Sequence, residues 1–283
     1  MSRQTAVGVP GRVKEITSLS NPLVKDIKAL ALKKYRDQSH SFLAEGQKLV
    51  IDALDAGWTI RMLVCSKSVK ARADIQALAA RTIAAGGDVL EVSDKVLAAI
   101  SRKDNPQMVA GVFEQSHARL ADIRPAGDDV WIALDRVRDP GNLGTILRTA
   151  DAVGAKGVIL VGETTDPFSP ETVRATMGSI FAVPVARATQ EQFLAWRAGW
   201  PGLVAGTHLK GSVDYRTVDF SGKPVLLVMG NESHGLPDAI AESCDTLLRI
   251  PQAGRADSLN LAVATGVMLY EIRRSALSLE AGA

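Results

Sequence analysis

The sequence predicts an α/β protein of two domains, and three features indicate this. Segments typical of helices and strands alternate along most of the 283 residues, and that length favours two domains at roughly 100–200 residues each. Residues 116–129 are polar and contain Pro125 and Gly127, as expected of a linker. Val130–Leu134 is apolar throughout, as in a strand buried on both faces of a parallel sheet. We therefore predict a flexible tail at 1–15, a first domain at 16–115, a linker at 116–129 and a second domain at 130–283.

The first domain opens with a predicted helix from Pro22 to Tyr35. Asn21 can cap it, a proline occupies its first position, and Leu23, Ile27 and Leu30 form one apolar stripe. The segments that follow are assigned from apolar runs and Ala-rich stretches. They are strands at Ser41–Ala44, Ile60–Cys65, Asp88–Val92 and Val109–Glu114, and helices at 46–56, at 71–85 and from residue 94.

The second domain repeats the alternation. After Val130–Leu134, further strands are predicted at Gly157–Val161, Ile180–Val185, Leu203–Gly206, Val225–Met229 and Thr246–Ile250. Helices are predicted at 144–153, 170–177, 190–196 and 258–274. A parallel sheet with helices on its faces follows from this order.

The two halves of the chain differ in charge. Residues 1–120 hold 18 Lys and Arg against 12 Asp and Glu, whereas residues 121–283 hold 15 against 19. A basic first half suggests that this half holds a polyanion, although basic faces are often only solvated. The candidates for contact with this polyanion lie mainly off the apolar stripe of the first helix or just beyond it. They are Lys25, Lys28, Lys33, Lys34 and Arg36.

Several classes of protein are disfavoured. No apolar run approaches the roughly 20 residues that span a bilayer, and Met1–Arg12 is polar, so we expect a soluble, cytoplasmic protein without a membrane partner. Cys65 and Cys244 lie far apart in the sequence, in no metal-ligand spacing, and are expected to be buried thiols. We predict no metal site.

Candidate chemistry lies in three loops, each at the carboxyl end of a predicted strand, where open α/β sheets bind ligands. The first, Asp135–Gly144, contains a Pro140-Gly141 turn and Asn142 as a possible helix cap, and it leads into the helix that carries Arg148. A turn followed by a surface arginine would also explain this loop. It has no G-x-G-x-x-G pattern, so a nucleotide-binding dehydrogenase lacks its phosphate loop.

The second loop, Met229–Pro237, places Glu232 between Gly230 and Gly235, directly after an apolar strand. Glycine at position 230 permits close approach of a ligand to the backbone. In the third loop, Arg249–Asn260, Ser258 and Asn260 open the last helix. Helix capping is the alternative explanation of these two residues.

In this order and spacing, the three loops closely resemble the signature motifs of the SpoU (TrmH) family of RNA 2′-O-ribose methyltransferases. The motifs are Asn142-x5-Arg148, Gly230-Asn231-Glu232-x2-Gly235-Leu236 and Ile250-Pro251 with Ser258-Leu259-Asn260, and the resemblance covers about Val130 to Arg274. More loosely, Ser20-Asn21-Pro22, Lys25 and Phe42–Gly46 resemble the ribosomal-protein-like RNA-binding domain that often precedes this one.

The resemblance implies a SPOUT-type parallel-sheet domain with a deep trefoil knot, a homodimer, and S-adenosylmethionine bound in the knot largely by backbone groups. By position those groups belong to Thr207, Gly230, Ile250 and Leu259. The resemblance implies that Arg148 activates the ribose hydroxyl as a base or stabilises its oxyanion. Asn142 would orient Arg148 or the ribose, and Glu232 would hold Arg148 or a group of the partner subunit. Ser258 and Asn260 would position the ribose and shape the methionine end of the cofactor pocket.

The resemblance implies methyl transfer to structured RNA, for which large-subunit ribosomal RNA is preferred over transfer RNA. The preference depends on the two-domain organisation and the basic first half. The alternative function is a non-catalytic RNA-binding protein or ribosome-assembly factor on the same scaffold. Cofactor binding without methyl transfer to any RNA would favour that alternative.

Overall fold

The computed structural model describes residues 11–101, 105–208, 213–255 and 258–279. The chain divides into two compact units, one comprising Met1–Gln115 with Phe168–Arg174 and the other Ser116–Pro167 with Ala175–Ala283. Each unit has its own β-sheet. Within the residues given above, no helix is both long enough and apolar enough to cross a membrane.

The first unit contains a five-stranded mixed sheet. Its strands are β1 (Val13–Ile16), β2 (Ser41–Glu45), β3 (Ile60–Ser66), β4 (Asp88–Val92) and β5 (Val109–Glu114), in the order β1-β4-β3-β5-β2. β5 runs antiparallel to both of its neighbours, and the other pairs are parallel. The helices along this part of the chain are α1 (Pro22–Ala29), α2 (Lys33–Ser39), α3 (Gln47–Asp55), α4 (Ala73–Ala84) and α5 (Asp94–Ser101).

The second unit contains a seven-stranded sheet in which every pair is parallel. Its strands are β6 (Val130–Asp135), β7 (Gly157–Val161), β8 (Val185–Ala188), β9 (Leu203–Thr207), β10 (Val213–Asp214), β11 (Val225–Met229) and β12 (Thr246–Arg249), in the order β10-β12-β9-β11-β6-β7-β8. The helices of this unit are α6 (Pro140–Ala152), α8 (Gln190–Arg197), α9 (Asp238–Ala241) and α10 (Leu261–Ile272), whereas α7 (Pro170–Ala175) belongs to the first unit up to Arg174. The α/β fold class with a parallel sheet is thereby confirmed.

The central strands of this sheet are apolar because both of their faces are covered. β6, β7 and β11 are buried at every position. One core cluster brings Ala133, Ile159 and Val228 from these strands against Phe193 of α8 and Ile240 of α9. Strands of this kind place their side chains in the core and leave the loops at their ends for chemistry.

The predicted helix from Pro22 to Tyr35 is wrong in its extent, since two helices occupy this region. Asn21 caps α1 as predicted, with its side chain accepting from the Leu23 N–H. The helix ends because Leu32 takes an extended conformation, with φ −102° and ψ 131°, before α2 begins. The apolar periodicity continued through this break because Leu30 still packs in the core.

Two other predictions are corrected. Residues 13–15 of the predicted tail form part of β1, which pairs with β4, and residues 1–10 of that tail lie outside the described residues. The predicted strand Ile180–Val185 is instead a 3-10 turn at Ser179–Phe181 followed by β8, which begins at Val185. Pro184 has no N–H for a strand ladder, so the strand starts after it. The short elements β10 and α9 were not predicted.

Candidate active site

The three candidate loops lie along one edge of the second sheet. β6 and β11 are neighbours with Leu134 opposite Met229, so the loops after them start side by side. β9 lies between β11 and β12, which brings the third loop to the same edge. Parallel strands present all their carboxyl ends together, and this edge is where ligands bind in such sheets.

The first loop enters α6 through a capped turn. The N-cap is Asp139, whose Oδ1 accepts from the Asn142 N–H at 2.6 Å, and Pro140 fills the first helical position. The prediction that Asn142 caps the helix is therefore wrong. Because Asp139 satisfies the exposed backbone N–H, the amide side chain of Asn142 is available for other contacts.

Glu232 lies in the second loop and makes hydrogen bonds to the first loop. Its Oε1 accepts from Asn142 Nδ2 at 3.2 Å and from the Asp139 N–H at 3.5 Å, and its Oε2 accepts from the Arg138 N–H at 3.4 Å. The resemblance predicts that Glu232 holds Arg148 or a group of the partner subunit. The contacts described here are made to the loop after β6 instead.

The third loop joins the same network through Asn260. Its Nδ2 donates to Asn142 Oδ1 at 2.9 Å, while its Oδ1 accepts from the N–H groups of Ala262 and Val263 and so caps α10. Asn260 thus serves both explanations considered from the sequence, helix capping and site formation. The side chains of Asn142, Glu232 and Asn260 link all three loops.

The second loop is a tight hairpin that leaves no room for a side chain at Gly230. Asn231 and Gly235 exchange backbone hydrogen bonds of 3.1 and 2.9 Å, and Gly235 has φ +65°. A Cβ built on Gly230 would lie 2.3 Å from the carbonyl carbon of Gly235. Glycine is required here by the closeness of the two backbone segments.

Arg148 lies on α6, six residues beyond Asn142, and is exposed. Within the part of the chain that is described, its guanidinium makes no hydrogen bond or ion pair. A rise of 1.5 Å per residue places it about 9 Å along the helix axis from Asn142. Ser258 is also exposed and is outside the Asn142–Glu232–Asn260 network.

The four positions suggested for the cofactor follow neighbouring strands. Thr207 ends β9, Gly230 follows β11 and Ile250 follows β12, so these three lie along one stretch of the sheet edge. Leu259 is 37% exposed and lies two residues before α10. Gly230 and Ile250 lie just beyond their strands, whereas Thr207 is still paired with Leu248 of β12. Backbone groups at the ends of strands suit a ligand held through main-chain contacts.

The lysines suggested for RNA contact are accessible in the first unit, but Arg36 is not. Lys25, Lys33 and Lys34 are exposed and Lys28 is half-buried. Arg36 is only 3% exposed, and its Nη1 donates to the Leu30 carbonyl at 2.7 Å, just beyond the end of α1. The sequence predicted that Arg36 lies on the basic surface. This prediction is wrong, because the guanidinium is buried and hydrogen-bonded to the backbone.

Four polar residues of the site were not singled out from the sequence. Asp139 and Asn231 organise the loops, and Asp135 and Arg136 form a pair at the end of β6. Asp139 could have been found, because an Asp followed by Pro and spaced three residues from an N–H partner is typical of a helix start. Burial raises the pKa of Asp135, and the hydrogen bond from Arg136 opposes that rise.

The described residues include no cluster of three or more His, Cys, Asp or Glu that could hold a metal ion. Cys65 and Cys244 are free thiols in separate units. Burial raises the pKa of each to about 11, which makes both poor nucleophiles near neutral pH.

The sequence matches two family models. Residues 129–270 match the SpoU rRNA methylase family, and residues 21–111 match the MRM3-like substrate binding domain. The first match contains Asn142, Arg148, Glu232 and Asn260. The second contains the lysines of α1 and α2.

Similar proteins cover nearly the whole chain. A 23S rRNA (guanosine(2553)-2′-O)-methyltransferase of Bacillus subtilis is 33% identical over 92% of this chain and 100% of its own length. A 23S rRNA (uridine(2479)-2′-O)-methyltransferase of Streptomyces viridochromogenes is 34% identical over 88% of each chain.

Solved structures are similar as well. The AdoMet-bound rRNA methyltransferase from Sinorhizobium meliloti is 62% identical, with a TM-score of 0.89 over 94% of this chain and 99% of the other. The SpoU methyltransferase AviRb in complex with AdoMet, from Streptomyces viridochromogenes, is 31% identical, with a TM-score of 0.82 over 91% of this chain and 99% of the other.

Proposed function

The chain belongs to the SpoU rRNA methylase family, and from this membership and the geometry of its site we propose that it methylates a ribose 2′-hydroxyl of large-subunit ribosomal RNA with S-adenosylmethionine. The observation that carries the proposal is the network of Asn142, Glu232 and Asn260, which joins the three signature loops at the carboxyl edge of a parallel sheet. The relatives named as 2′-O-methyltransferases of 23S rRNA supply the substrate class. We assign the activity to the cytoplasm, where such RNA is accessible to it.

The residues at the sheet edge fit S-adenosylmethionine, which supplies the methyl group as an activated sulfonium when bound. The backbone of Thr207, Gly230 and Ile250 would hold it, with Leu259 against its apolar parts. The missing side chain at Gly230 lets main chain approach main chain, and any Cβ there would meet Gly235. Such a site recognises its ligand mainly by shape and backbone hydrogen bonds.

The reaction requires a ribose oxygen placed in line with the methyl group and stabilised as it loses its proton. Arg148 suits the second task because its guanidinium is exposed and uncommitted within the described part of the chain. A guanidinium stays protonated in proteins, so we assign it to donate hydrogen bonds to the developing oxyanion. The proton then passes to a phosphate oxygen of the RNA or to water.

Glu232 and Asn142 act as positioning residues in this proposal. Glu232 holds the entry of α6 through two backbone N–H groups and the Asn142 amide. Because Arg148 lies further along the same helix, fixing the entry of α6 also fixes the direction in which Arg148 points. Asn260 restrains Asn142 from the other side, and Ser258 is assigned to contact the ribose.

RNA capture is assigned to the first unit. Lys25, Lys28, Lys33 and Lys34 lie on its first two helices, and this region matches a substrate-binding domain. Phosphate contacts by such lysines supply affinity without sequence specificity. Arg36 is left out of this surface because it is buried.

We further propose a homodimer formed through α10. This helix is apolar on nearly every side, yet Val263 and Tyr270 are each 54% exposed, and with Val267 they form one stripe at helical spacing. An exposed apolar stripe on an otherwise buried helix is typical of an interface. Val263→Glu should convert the protein to monomers in light scattering after size exclusion, and Val13→Glu, at an equally exposed valine of β1, should not.

The trefoil knot is part of the same proposal. β11 lies between β9 and β6, whereas β12 lies on the far side of β9, and α10 then returns to pack on α6 and β11. The chain after β11 therefore passes β9 to reach β12 and passes it again when α10 returns to β11 and α6. This path supports a knotted cofactor site built from the loops after β9, β11 and β12.

The function is tested by incubating the protein with in vitro transcribed 23S rRNA and methyl-labelled S-adenosylmethionine. We expect label in the RNA, located at a single ribose by its resistance to alkaline cleavage. Label in transfer RNA alone would replace the substrate assignment. Cofactor binding without transfer to any RNA would support the non-catalytic assembly factor instead.

A further inference from the structure

A buried carboxylate ends β6, beside the three loops of the site. Asp135 is 1% exposed, and its Oδ2 accepts from Arg136 Nε at 2.7 Å. Its Oδ1 is buried without a hydrogen-bond partner among the described residues. Desolvating a carboxylate for a single partner brings little or no net stability, so stability does not explain the pair.

The backbone of Arg136 is held in a conformation that favours glycine. Its φ is +48°, which is uncommon for a residue with a Cβ. The Arg136 N–H donates to the Val161 carbonyl at 2.9 Å, and Asn231 Nδ2 donates to the Arg136 carbonyl at 2.8 Å. The two hydrogen bonds fix the backbone of Arg136, and the ion pair with Asp135 fixes its side chain. A glycine at this position would be less strained.

Most N–H donors of the Arg136 guanidinium have no hydrogen-bond partner among the described residues. Arginine has five N–H groups, and Asp135 engages the one on Nε. Neither Nη nitrogen is bonded within the described part of the chain, and the side chain is 36% exposed. Two adjacent free Nη groups present the planar fork that binds phosphate or carboxylate through two hydrogen bonds.

We propose that Arg136, oriented by Asp135, binds a backbone phosphate of the RNA beside the methylated nucleotide. The proposal rests on the proposed function and names a substrate contact of the same site. Phosphate is favoured over the cofactor carboxylate because the cofactor positions follow β9, β11 and β12, whereas Arg136 follows β6 and contacts the loop after β7. There, a Cβ on Gly162 would lie 3.2 Å from Arg136 Cγ.

The test compares Arg136→Gly with Arg119→Gly in the full-length protein. Arg119 is an exposed arginine that also pairs with an aspartate, Asp122, so the control removes the same charge. For Arg136→Gly we expect KM for 23S rRNA to rise about 10-fold and kcat to stay within about 3-fold. The slope of log affinity against log salt should become shallower by about 1, the value for one lost phosphate contact. Affinity for S-adenosylmethionine alone should stay within about 2-fold.

Two further variants separate orientation from charge. Arg136→Lys keeps the charge but has no Nε, so its ammonium should remain on Asp135 and RNA binding should follow that of Arg136→Gly. Asp135→Asn keeps the shape of the side chain but loosens the guanidinium, and a smaller rise in KM is expected without a change in salt slope. This variant also provides a readout if Arg136→Gly does not fold.

Three results would overturn the proposal. RNA binding of Arg136→Gly with the KM and salt slope of the Arg119→Gly control would remove the phosphate contact. A cofactor affinity weakened more than about 10-fold at unchanged salt slope would assign the guanidinium to the cofactor carboxylate. An Arg136→Lys enzyme equal to wild type would show that charge alone suffices. Failure of the wild-type protein to methylate any RNA is a different outcome and concerns the proposed function.

Discussion

Asn142 Nδ2 donates to Glu232 Oε1 at 3.2 Å, so the loop after β6 and the loop after β11 are joined by side chains 90 residues apart in sequence. The same carboxylate also accepts from the N–H groups of Arg138 and Asp139. A single acidic side chain therefore orders the entry of the helix that carries Arg148. A small chemical change at Glu232 therefore tests the order of this helix entry.

Glu232→Gln is expected to lower kcat about 10-fold while affinity for S-adenosylmethionine stays within about 3-fold. Glutamine has one acceptor oxygen, and its amide nitrogen would face N–H donors that the carboxylate accepted from. Glu163→Gln is the matched control, because Glu163 lies at the same sheet edge and is 91% exposed. Equal rates for the two variants in a single-turnover assay would contradict the positioning role.

The sequence predicted most of the fold, because buried parallel strands have a simple pattern. β6, β7 and β11 are apolar at nearly every position, and their bounds follow from that pattern except that β6 continues one residue further, to Asp135. The break between α1 and α2 could not be found, since Leu30 continues the apolar stripe and no Pro or Gly marks the extended conformation of Leu32. Loop positions of the site could be named from motif spacing, but their pairing could not. Asn142 and Arg148 lie on the same helix. Which of them Glu232 contacts therefore depends on how α6 is placed against the loop after β11, and a linear pattern does not contain that information.

Arg148→Ala should reduce single-turnover methyl transfer by roughly 10²-fold, the usual scale for loss of a charge-stabilising group. Cofactor affinity should change by no more than a few-fold, because the positions proposed for the cofactor lie after β9, β11 and β12. Arg148→Lys should recover little, since an ammonium lacks the planar fork. Arg216→Ala, at an exposed arginine paired with Asp214, serves as control. A near-normal rate in Arg148→Ala would remove this residue from the catalytic group.

Combined replacement of Lys25, Lys28, Lys33 and Lys34 by Gln should weaken RNA binding and flatten its salt dependence. Each lost phosphate contact lowers the slope by about 0.9, so a decrease of about 2 to 4 is expected from filter binding at several salt concentrations. Lys156→Gln, at an exposed lysine of the second unit, should leave the slope unchanged. An unchanged slope in the fourfold variant would place the RNA surface elsewhere.

Replacement of Arg36 should affect stability rather than RNA binding, unlike replacement of the nearby lysines. Arg36→Leu removes the donor to the Leu30 carbonyl, and we expect a loss of about 1–3 kcal/mol in the free energy of unfolding. The salt slope of RNA binding should not change, because the guanidinium is buried. A flatter slope at unchanged thermal stability would return Arg36 to the RNA surface.

Both cysteines are expected to react only slowly with a thiol reagent near neutral pH while the protein is folded. Burial raises the pKa of Cys65 and Cys244 to about 11, so at pH 8 only about one thiol in a thousand is ionised. Reactivity should increase as pH rises towards the thiol pKa, and both thiols should react at once in denaturant. Methyl transfer should survive treatment of the folded protein with the reagent. Rapid loss of activity together with one modified thiol would contradict this.

Gly230→Ala should abolish cofactor binding, whereas Gly254→Ala should not. A Cβ at position 230 would lie 2.3 Å from the Gly235 carbonyl carbon and 2.4 Å from the Leu236 nitrogen, and both are backbone atoms that cannot move without opening the hairpin. Gly254, in the loop after β12, has no atom within 4 Å of the added methyl group, so it controls for loss of a loop glycine. Isothermal calorimetry with S-adenosylmethionine gives the affinities, and thermal melts show whether each variant stays folded. A folded Gly230→Ala protein that binds the cofactor with wild-type affinity would show that the hairpin backbone can shift to accept a methyl group. The close contact between Gly230 and Gly235 would then not be required for cofactor binding.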